Sequence, residues 1–173
     1  MDLLRIGDKV LDRERVHKLV DRALELRSAG VSQQEVAKTL GTERSFISRL
    51  ESLGEIRKGG QMALVGFPVG NKEELEKMAR EEGVDFIFFL TEEERWRFIE
   101  NKNGLELFNE IMDLFARVKT YTKVIFLGSD MRIRLMEALL DRRVFGIELG
   151  PSPLREDIYV DAEELRGIIR SFS

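Results

Sequence analysis

The stretch SQQEVAKTLGTERSFISRL, residues 32 to 50, carries the most specific local pattern in the chain. Ser32 with Glu35 three positions later forms a capping box, which predicts a short helix over residues 33 to 40. Gly41 ends that helix, because glycine adopts a positive φ without steric cost and so allows the chain to turn sharply. The stretch therefore predicts two short helices joined by a tight turn.

The apolar side chains of this stretch are spaced to hold the two helices together. They recur at helical spacing. Ala37 supplies the small side chain that two steeply crossing helices need where their backbones come nearest. The expected contact residues are Val36, Leu40, Ile47 and Leu50, and the residues expected to stay exposed on the second helix are Glu43, Arg44, Ser45, Ser48 and Arg49.

Those exposed side chains are hydrogen-bonding groups at the N-terminal end and on the outer face of the second helix. In a helix-turn-helix this part of the helix enters the major groove of DNA. An arginine there can contact guanine with two hydrogen bonds or hold a phosphate. The alternative is an ordinary helical hairpin with a solvated polar face. We favour the helix-turn-helix because the capping box, the small residue, the glycine and the apolar positions all fit one template.

The helix pair reads QQEVA at residues 33 to 37, LG at 40 to 41 and ISRLE at 47 to 51. With these residues it resembles the Cro/lambda-repressor-like (XRE) class of helix-turn-helix regulators, over roughly residues 16 to 58. The resemblance implies that Gln33 and Gln34 approach the sugar-phosphate backbone of DNA. It also implies that the five exposed side chains of the second helix lie against the groove. The helix-turn-helix of partition proteins or of sigma factors fits the same residues.

A supporting first helix is expected over residues 12 to 29, closed by Gly30. Its apolar residues follow a nearly helical spacing. The single histidine of the chain, His17, lies in this helix and is not expected to bind a metal, because no cysteine or second histidine accompanies it. The stripe expected to face the other helices consists of Val16, Leu19, Val20, Ala23, Leu24 and Leu26.

The paired glycines Gly59 and Gly60 interrupt any regular element after the second helix of the motif. Two interpretations stay open: a flexible hinge between domains, which we prefer, or a hairpin turn whose strands form a wing beside the helices. In either arrangement Arg57 and Lys58 are placed to contact phosphate.

From Met62 onward, short apolar runs alternate with helical patterns. Apolar runs followed by helices are typical of parallel strands buried on both faces and joined by right-handed crossovers. Strands are predicted over 62–67, 85–90, 123–127 and 144–149, with a possible edge strand over 158–160; helices are predicted over 72–82, 92–120 with a break at 101–104, 131–142 and 161–172.

The fold class expected for the whole chain is therefore α/β, in two domains. Residues 1 to 58 form an all-α helix-turn-helix domain, and residues 59 to 61 form a linker. Residues 62 to 173 form a small Rossmann-like, three-layer α/β domain with a mainly parallel four- or five-stranded sheet, used for dimerisation, for sensing a ligand, or for both.

Glycine-rich loops follow several of the predicted strands, at the edge where open parallel sheets bind ligands. Two of these loops lead directly into helix N-termini, whose free amides attract anions, so a small anionic effector is a candidate ligand. The alternative is that tight strand-to-helix turns require glycine for structural reasons, with Asn71 and Ser129-Asp130 at the beginnings of helices. The candidate ligand-binding residues are Gly66, Gly70, Asn71, Gly128, Ser129 and Asp130.

No pattern in this domain predicts catalysis. The GxSxG and HExxH motifs are missing, and the domain has no histidine and no cysteine to act as nucleophile, base or metal ligand. We therefore expect no enzyme activity, no catalytic residues, no metal site and no resident cofactor.

A broad apolar face is predicted on the helix before the third strand. It is wider than contact with one sheet requires, so it serves either core packing or contact with a second subunit. The face consists of Leu107, Phe108, Ile111, Met112, Leu114, Phe115 and Val118.

Charge is divided unevenly along the chain, which has a net charge of −4. Residues 1 to 60 contain 12 Lys and Arg against 10 Asp and Glu, so the excess of positive charge lies with the motif. That excess is small, so specific binding of double-stranded DNA is expected to need two reading helices, as in a homodimer. No apolar run is long enough to span a membrane and no secretory signal is present, so a cytoplasmic location is expected.

The function expected from these patterns is that of a sequence-specific, dimeric, DNA-binding transcriptional regulator. One alternative is a nucleotide- or cofactor-binding α/β protein, with or without enzyme activity, which the helix-turn-helix tethers to DNA. Another is an adaptor whose helix pair contacts protein.

Overall fold

The computed structural model describes residues 2–55 and 60–172 of the chain. It divides into two compact units, Met1–Glu55 and Ile56–Ser173. The described residues form a mixed α/β protein with a two-stranded antiparallel hairpin, eight α-helices and a four-stranded parallel sheet. None of the helices in these two ranges is long and apolar enough to cross a membrane.

The N-terminal unit begins with a two-stranded hairpin, so the prediction that residues 1 to 58 form an all-α domain is wrong. Strand β1, Leu3–Ile6, pairs antiparallel with β2, Lys9–Asp12. The two-residue turn between them begins with Gly7 at φ 59°, the position where a hairpin turn of this kind requires glycine. All eight strand residues are exposed.

Three helices follow the hairpin: α1 over Arg13–Ser28, α2 over Gln33–Leu40 and α3 over Arg44–Gly54. They share a small core in which Ala23, Val36, Ala37 and Ile47 are buried, with Leu26, Val31, Leu40 and Leu50 packed around it. The apolar stripe predicted for the first helix is only partly used. Ala23 is its one fully buried residue; Leu19, Val20 and Leu26 are partly buried, and Val16 and Leu24 are exposed.

The second unit alternates strands and helices as predicted. Its strands are β3 over Met62–Gly66, β4 over Phe86–Phe89, β5 over Lys123–Ser129 and β6 over Val144–Gly150. Its helices are α4 over Lys72–Glu81, α5 over Glu92–Glu100, α6 over Gly104–Lys119, α7 over Asp130–Leu140 and α8 over Ala162–Ser171, with a short 3-10 turn over Asp141–Arg143 before β6. The break predicted at residues 101 to 104 within the helical stretch 92–120 is present as the gap between α5 and α6.

All four strands are parallel and lie in the order β4-β3-β5-β6. Val65 of β3 pairs with Phe88 of β4 on one side and with Phe126 of β5 on the other. The chain goes outward in one direction from β3 and in the other from β5, so the strand order reverses between these two strands. The prediction of a parallel sheet of four or five strands is confirmed, with four strands present among the described residues.

Helices cover both faces of the sheet. On one face, Leu64 of β3 and Ile125 of β5 belong to a buried cluster with residues of α4 and α8. On the other, Val65 and Phe126 belong to a cluster with Val118 of α6 and with residues of α7. Alternate residues of β3 and β5 thus point to opposite faces, as the strand period of two requires, and the predicted three layers are present.

The edge strand predicted over residues 158 to 160 does not form. Only Ile158 makes an isolated parallel bridge, to Val69. The backbone of Val160 is instead bound by a side chain: Nδ2 of Asn71 donates to the Val160 carbonyl at 2.8 Å, and the Val160 amide donates to Oδ1 of Asn71 at 3.0 Å. With both groups satisfied by one amide side chain, this segment needs no neighbouring strand.

Candidate nucleic-acid interface

Helix α3 is held by one face and presents the other to solvent. Ile47 on its inner face is fully buried against Val36 and Ala37 of α2 and Ala23 of α1. A single deeply buried branched side chain flanked by small residues lets the helix axes approach closely. The orientation of α3 about its own axis is fixed by this contact.

The turn before α3 is set by Gly41, which adopts φ 66° and ψ 36°. In this left-handed conformation its neighbour Thr42 donates its amide to the Ala37 carbonyl at 2.9 Å, which closes the end of α2. The beginning of α2 carries the predicted capping box, with both the Ser32 and the Glu35 hydrogen bonds present. Local sequence therefore fixes both ends of α2 and the point from which α3 begins.

The five residues predicted to contact DNA from the second helix are all exposed: Glu43, Arg44, Ser45, Ser48 and Arg49. Glu43 is the N-cap residue of α3, and its carboxylate accepts a hydrogen bond from the Ser45 hydroxyl at 3.1 Å. Within the described ranges, neither Arg44 nor Arg49 forms an ion pair with a carboxylate. Neither guanidinium group therefore has to break an ion pair to contact an anionic partner such as a phosphate, or the acceptor edge of guanine.

Phe46 is a residue of this surface that the sequence analysis missed. Its side chain is 39% exposed, although it lies between the buried Ile47 and the polar Ser45. An exposed aromatic ring beside arginines can contact a thymine methyl group in the major groove. Its spacing from Ile47 could have indicated this, since adjacent helical residues point about 100° apart.

Gln33, which the resemblance places near the sugar-phosphate backbone of DNA, is hydrogen-bonded within the N-terminal unit. Its Nε2 donates to Oε2 of Glu51 at 2.8 Å, and its Oε1 accepts from Nε of Arg44 at 3.4 Å. Glu51 in turn accepts a charge-assisted hydrogen bond from Arg27. A polar network therefore connects α1, α2 and α3, and it ends at the guanidinium of Arg44.

Glu51 is the centre of this network, and the sequence analysis named it only within the motif. The hydrogen bond from Arg27, and after it the hydrogen bond from Gln33, lower the pKa of Glu51 below its ordinary value of 4.5, against the opposing effect of burial. A carboxyl group whose pKa is lower in the folded state stabilises that state at pH values above its unfolded-state pKa. The contribution is lost as the pH falls through the lower, folded-state pKa.

Replacing Glu51 with glutamine should therefore destabilise the N-terminal unit near neutral pH by up to about 1 kcal/mol, the range of solvent-accessible ion pairs. The difference between the parent and the variant should shrink as the pH falls from 4.5 towards 3. Urea midpoints of both proteins across this range measure the effect. A difference in stability that stays constant with pH would contradict the assigned role of the carboxylate.

The remaining residues predicted to bind DNA fall into two groups. Gln34 is exposed at the beginning of α2. Arg57 and Lys58 lie outside the described residues, as does part of the predicted hinge or wing. Gly60 is described and adopts φ 81°, with the Thr122 side chain so close that a Cβ atom would lie 2.6 Å from its hydroxyl.

The candidate ligand-binding residues of the α/β unit lie near the carboxyl ends of β3 and β5, but they face protein. A Cβ atom on Gly66 would lie 3.0 Å from Leu127 and from Phe89, one on Gly70 would lie 3.3 Å from Asp157, and one on Gly128 would lie 2.7 Å from the Phe126 ring. Close packing is a structural reason for glycine at these positions, and the prediction that they bind a ligand stays a prediction.

The polar members of the same set are also bound to protein. Asn71 was expected to cap α4 but makes no capping bond, because its amide is committed to Val160. Ser129 is buried, and its hydroxyl donates to the hydroxyl of Ser152 at 3.2 Å.

Asp130 begins α7 instead of capping it. Its carboxylate accepts from the Ser152 amide at 2.9 Å and pairs with Arg134, and the Ser152 amide is the main cause of its lowered pKa.

The carboxylates and the single imidazole of the chain are the side chains that could bind a metal ion. Across residues 2–55 and 60–172, no group of three such side chains converges on a point where an ion could bind. His17 is exposed on α1.

The chain was compared with known proteins at the level of family, sequence and fold. No protein-family model, no curated protein and no solved structure matches it.

Proposed function

We propose that the chain is a sequence-specific DNA-binding regulator that reads duplex DNA with α3. The observation that carries the proposal is the combination of an α3 fixed by the buried Ile47 with a polar face that is exposed along the whole of its first two turns. A helix has to be held rigidly and yet present polar side chains outward to read base edges in the major groove.

The charges on this face support the same proposal. Arg44 and Arg49 are exposed and unpaired among the described residues, whereas many other arginines of the chain are bound to carboxylates on the same helix or a neighbouring one. When such a guanidinium group binds DNA, no existing ion pair has to be broken, so no free energy is lost in that way. Arg44 is also oriented by Gln33, so less side-chain entropy is lost on binding.

A single copy of this surface has little excess positive charge, so we propose that the protein binds as a homodimer. The α/β unit exposes apolar side chains on the outward side of α6, where Leu105 is 70%, Phe108 59% and Met112 49% exposed. Apolar side chains at helical spacing that remain this exposed are typical of subunit contacts. A second subunit covering them would pair two reading helices.

The test is selection of bound fragments from a random pool of duplex DNA by the purified full-length chain. The proposal predicts enrichment of one motif arranged as an inverted repeat, with half-sites about 34 Å apart, or one helical turn. It also predicts that affinity falls steeply as salt is added, because phosphate contacts release counterions. A pool that stays random after repeated rounds, or binding that is indifferent to salt, would contradict the proposal and favour a protein partner.

A further inference from the structure

An apolar cavity of about 300 Å³ lies between α5, α6, α7 and one face of the sheet. Phe67, Phe88, Leu114, Phe126 and Met136 are among the side chains that line it. The cavity exists because the two helices above it pack loosely: α5 has no fully buried residue, and α6 fully buries only Val118. This volume is at the lower end of the range of small-molecule sites.

A second cavity, of about 630 Å³, adjoins the apolar one at the carboxyl edge of the sheet. The two cavities share Arg95, Ile99 and Arg132 as walls. The second cavity is the more polar of the two, and its other walls include Glu92, Ser152, Trp96 and Arg155. Two guanidinium groups therefore stand where an apolar chamber meets a polar one.

The two shared arginines are held in different ways. Arg95 is largely buried and fixed: it donates to Oε1 of Glu92 at 2.7 Å and to the Leu154 carbonyl at 3.0 Å. Arg132 lies over the Phe67 ring, 5.3 Å from its centroid, and no carboxylate of the described residues lies within ion-pair distance of it. Of the two arginines at this junction, Arg132 is therefore the one that can bind an additional anion without breaking an ion pair.

The electrostatic balance at the junction also favours an anion. Three arginines and one glutamate line the polar cavity, which leaves two positive charges in excess. Burial, and after it the neighbouring charge of Arg95, lowers the pKa of Arg132, while Glu92 opposes this effect. An arriving carboxylate would relieve the repulsion between the two guanidinium groups.

We propose that the two adjoining cavities bind a small amphipathic carboxylate, with its alkyl tail in the apolar chamber and its carboxylate at Arg132 and Arg95. The apolar wall favours any ligand with an alkyl tail, and an arginine favours any anion. Together they favour a molecule that has both an alkyl tail and an anionic group. Since a water molecule occupies about 30 Å³ in the liquid, the apolar chamber holds a tail of roughly ten non-hydrogen atoms or fewer.

Binding at this site does not depend on whether α3 reads DNA. Only the further step, control of DNA binding by the ligand, rests on the proposed function. The experiment is therefore carried out without DNA, so that its failure and the failure of the proposed function are distinguishable.

The test is isothermal titration of the full-length chain with sodium octanoate. We expect saturable binding of octanoate. Butanoate, which has four methylene groups fewer, should bind about 200-fold more weakly, from the burial of apolar surface. Octan-1-ol, which keeps the tail and lacks the charge, should also bind at least about tenfold more weakly, because it loses a charge-assisted hydrogen bond.

Two pairs of variants locate the site. Ile111→Trp places a bulky ring in the apolar chamber and should abolish octanoate binding, whereas Phe108→Trp, on the outward side of the same helix, should leave it unchanged. Arg132→Ala should weaken binding about tenfold or more, whereas Arg134→Ala, which removes an exposed arginine of the same helix, should not.

Two results would overturn the proposal. One is octanoate binding that is absent, or that is equally strong in the Ile111→Trp and Arg132→Ala variants. The other is sedimentation showing that Ile111→Trp dissociates a dimer of the parent chain while the parent binds no octanoate. In that case a second copy of the chain covers the apolar chamber.

Discussion

Replacing Ile47 with alanine should unfold the N-terminal unit at temperatures where the α/β unit remains folded. Ile47 is fully buried, and the core around it contains only three other buried residues, Ala23, Val36 and Ala37. Truncating a buried isoleucine to alanine costs about 2–5 kcal/mol, and a domain of this size has little more than that to lose.

The measurement is differential scanning calorimetry together with amide spectra of the full-length chain. We expect the transition of the N-terminal unit to shift down by at least about 10 °C in Ile47→Ala or to disappear, with the α/β transition unchanged. Leu53→Ala is the matched control, since it removes an aliphatic side chain from the same helix where that side chain is 67% exposed. Equal effects of the two substitutions would show that α3 is not anchored through Ile47.

Replacing Arg44 and Arg49 together with alanine should abolish preference among DNA sites and leave both units folded. Each bidentate contact of arginine with guanine contributes about 1–3 kcal/mol of discrimination, so losing two should weaken specific binding by at least about thirtyfold. Because both side chains are exposed, their removal leaves no buried group without a partner.

The control for charge is the double variant Lys18→Ala and Arg22→Ala on α1. It removes the same two positive charges from exposed positions of the same unit, where each pairs only with a glutamate of its own helix. Fluorescence anisotropy with the selected duplex and with a scrambled duplex separates specific from non-specific binding. The α1 variant should weaken binding to both duplexes by the same small factor, whereas the α3 variant should make them bind equally. If the α3 variant keeps its preference, α3 does not read the bases.

The parts of the fold that local sequence encodes were predicted well. The bounds of α2 follow from Ser32, Glu35 and Gly41, which act on the backbone within one helical turn of themselves. Strands β3 and β5 were predicted because they are apolar on consecutive residues, the pattern that burial on both faces requires.

The N-terminal hairpin was missed although a signal was present. Gly7 and Asp8 lie between two short apolar-containing runs, which is a recognised pattern for a two-residue hairpin turn. The pattern is weak because the strands on either side have four residues each and every one of these residues is exposed. Burial, the usual reason for an alternating strand pattern, does not act on them.

Features that depend on distant residues could not be read from the sequence. The network around Glu51 joins it to Arg27 and Gln33 of two other helices, and nothing in the local pattern pairs them. Likewise, Arg95 and Arg132 belong to α5 and α7, and only the parallel crossovers bring them to the same cavity. The same holds for the apolar face of α6. The sequence predicted the width of this face, but it could not predict which of its side chains the sheet would leave exposed.

Mapping of amide chemical shifts would show whether the exposed polar face of α3 contacts duplex DNA. The isotope-labelled full-length chain is titrated with the duplex that selection enriches. We expect the largest shifts on residues 43 to 49 and smaller shifts at Gln33 and Gln34, with the core of the α/β unit unaffected. Shifts that leave residues 43 to 49 unchanged while another surface responds would contradict the proposed contact.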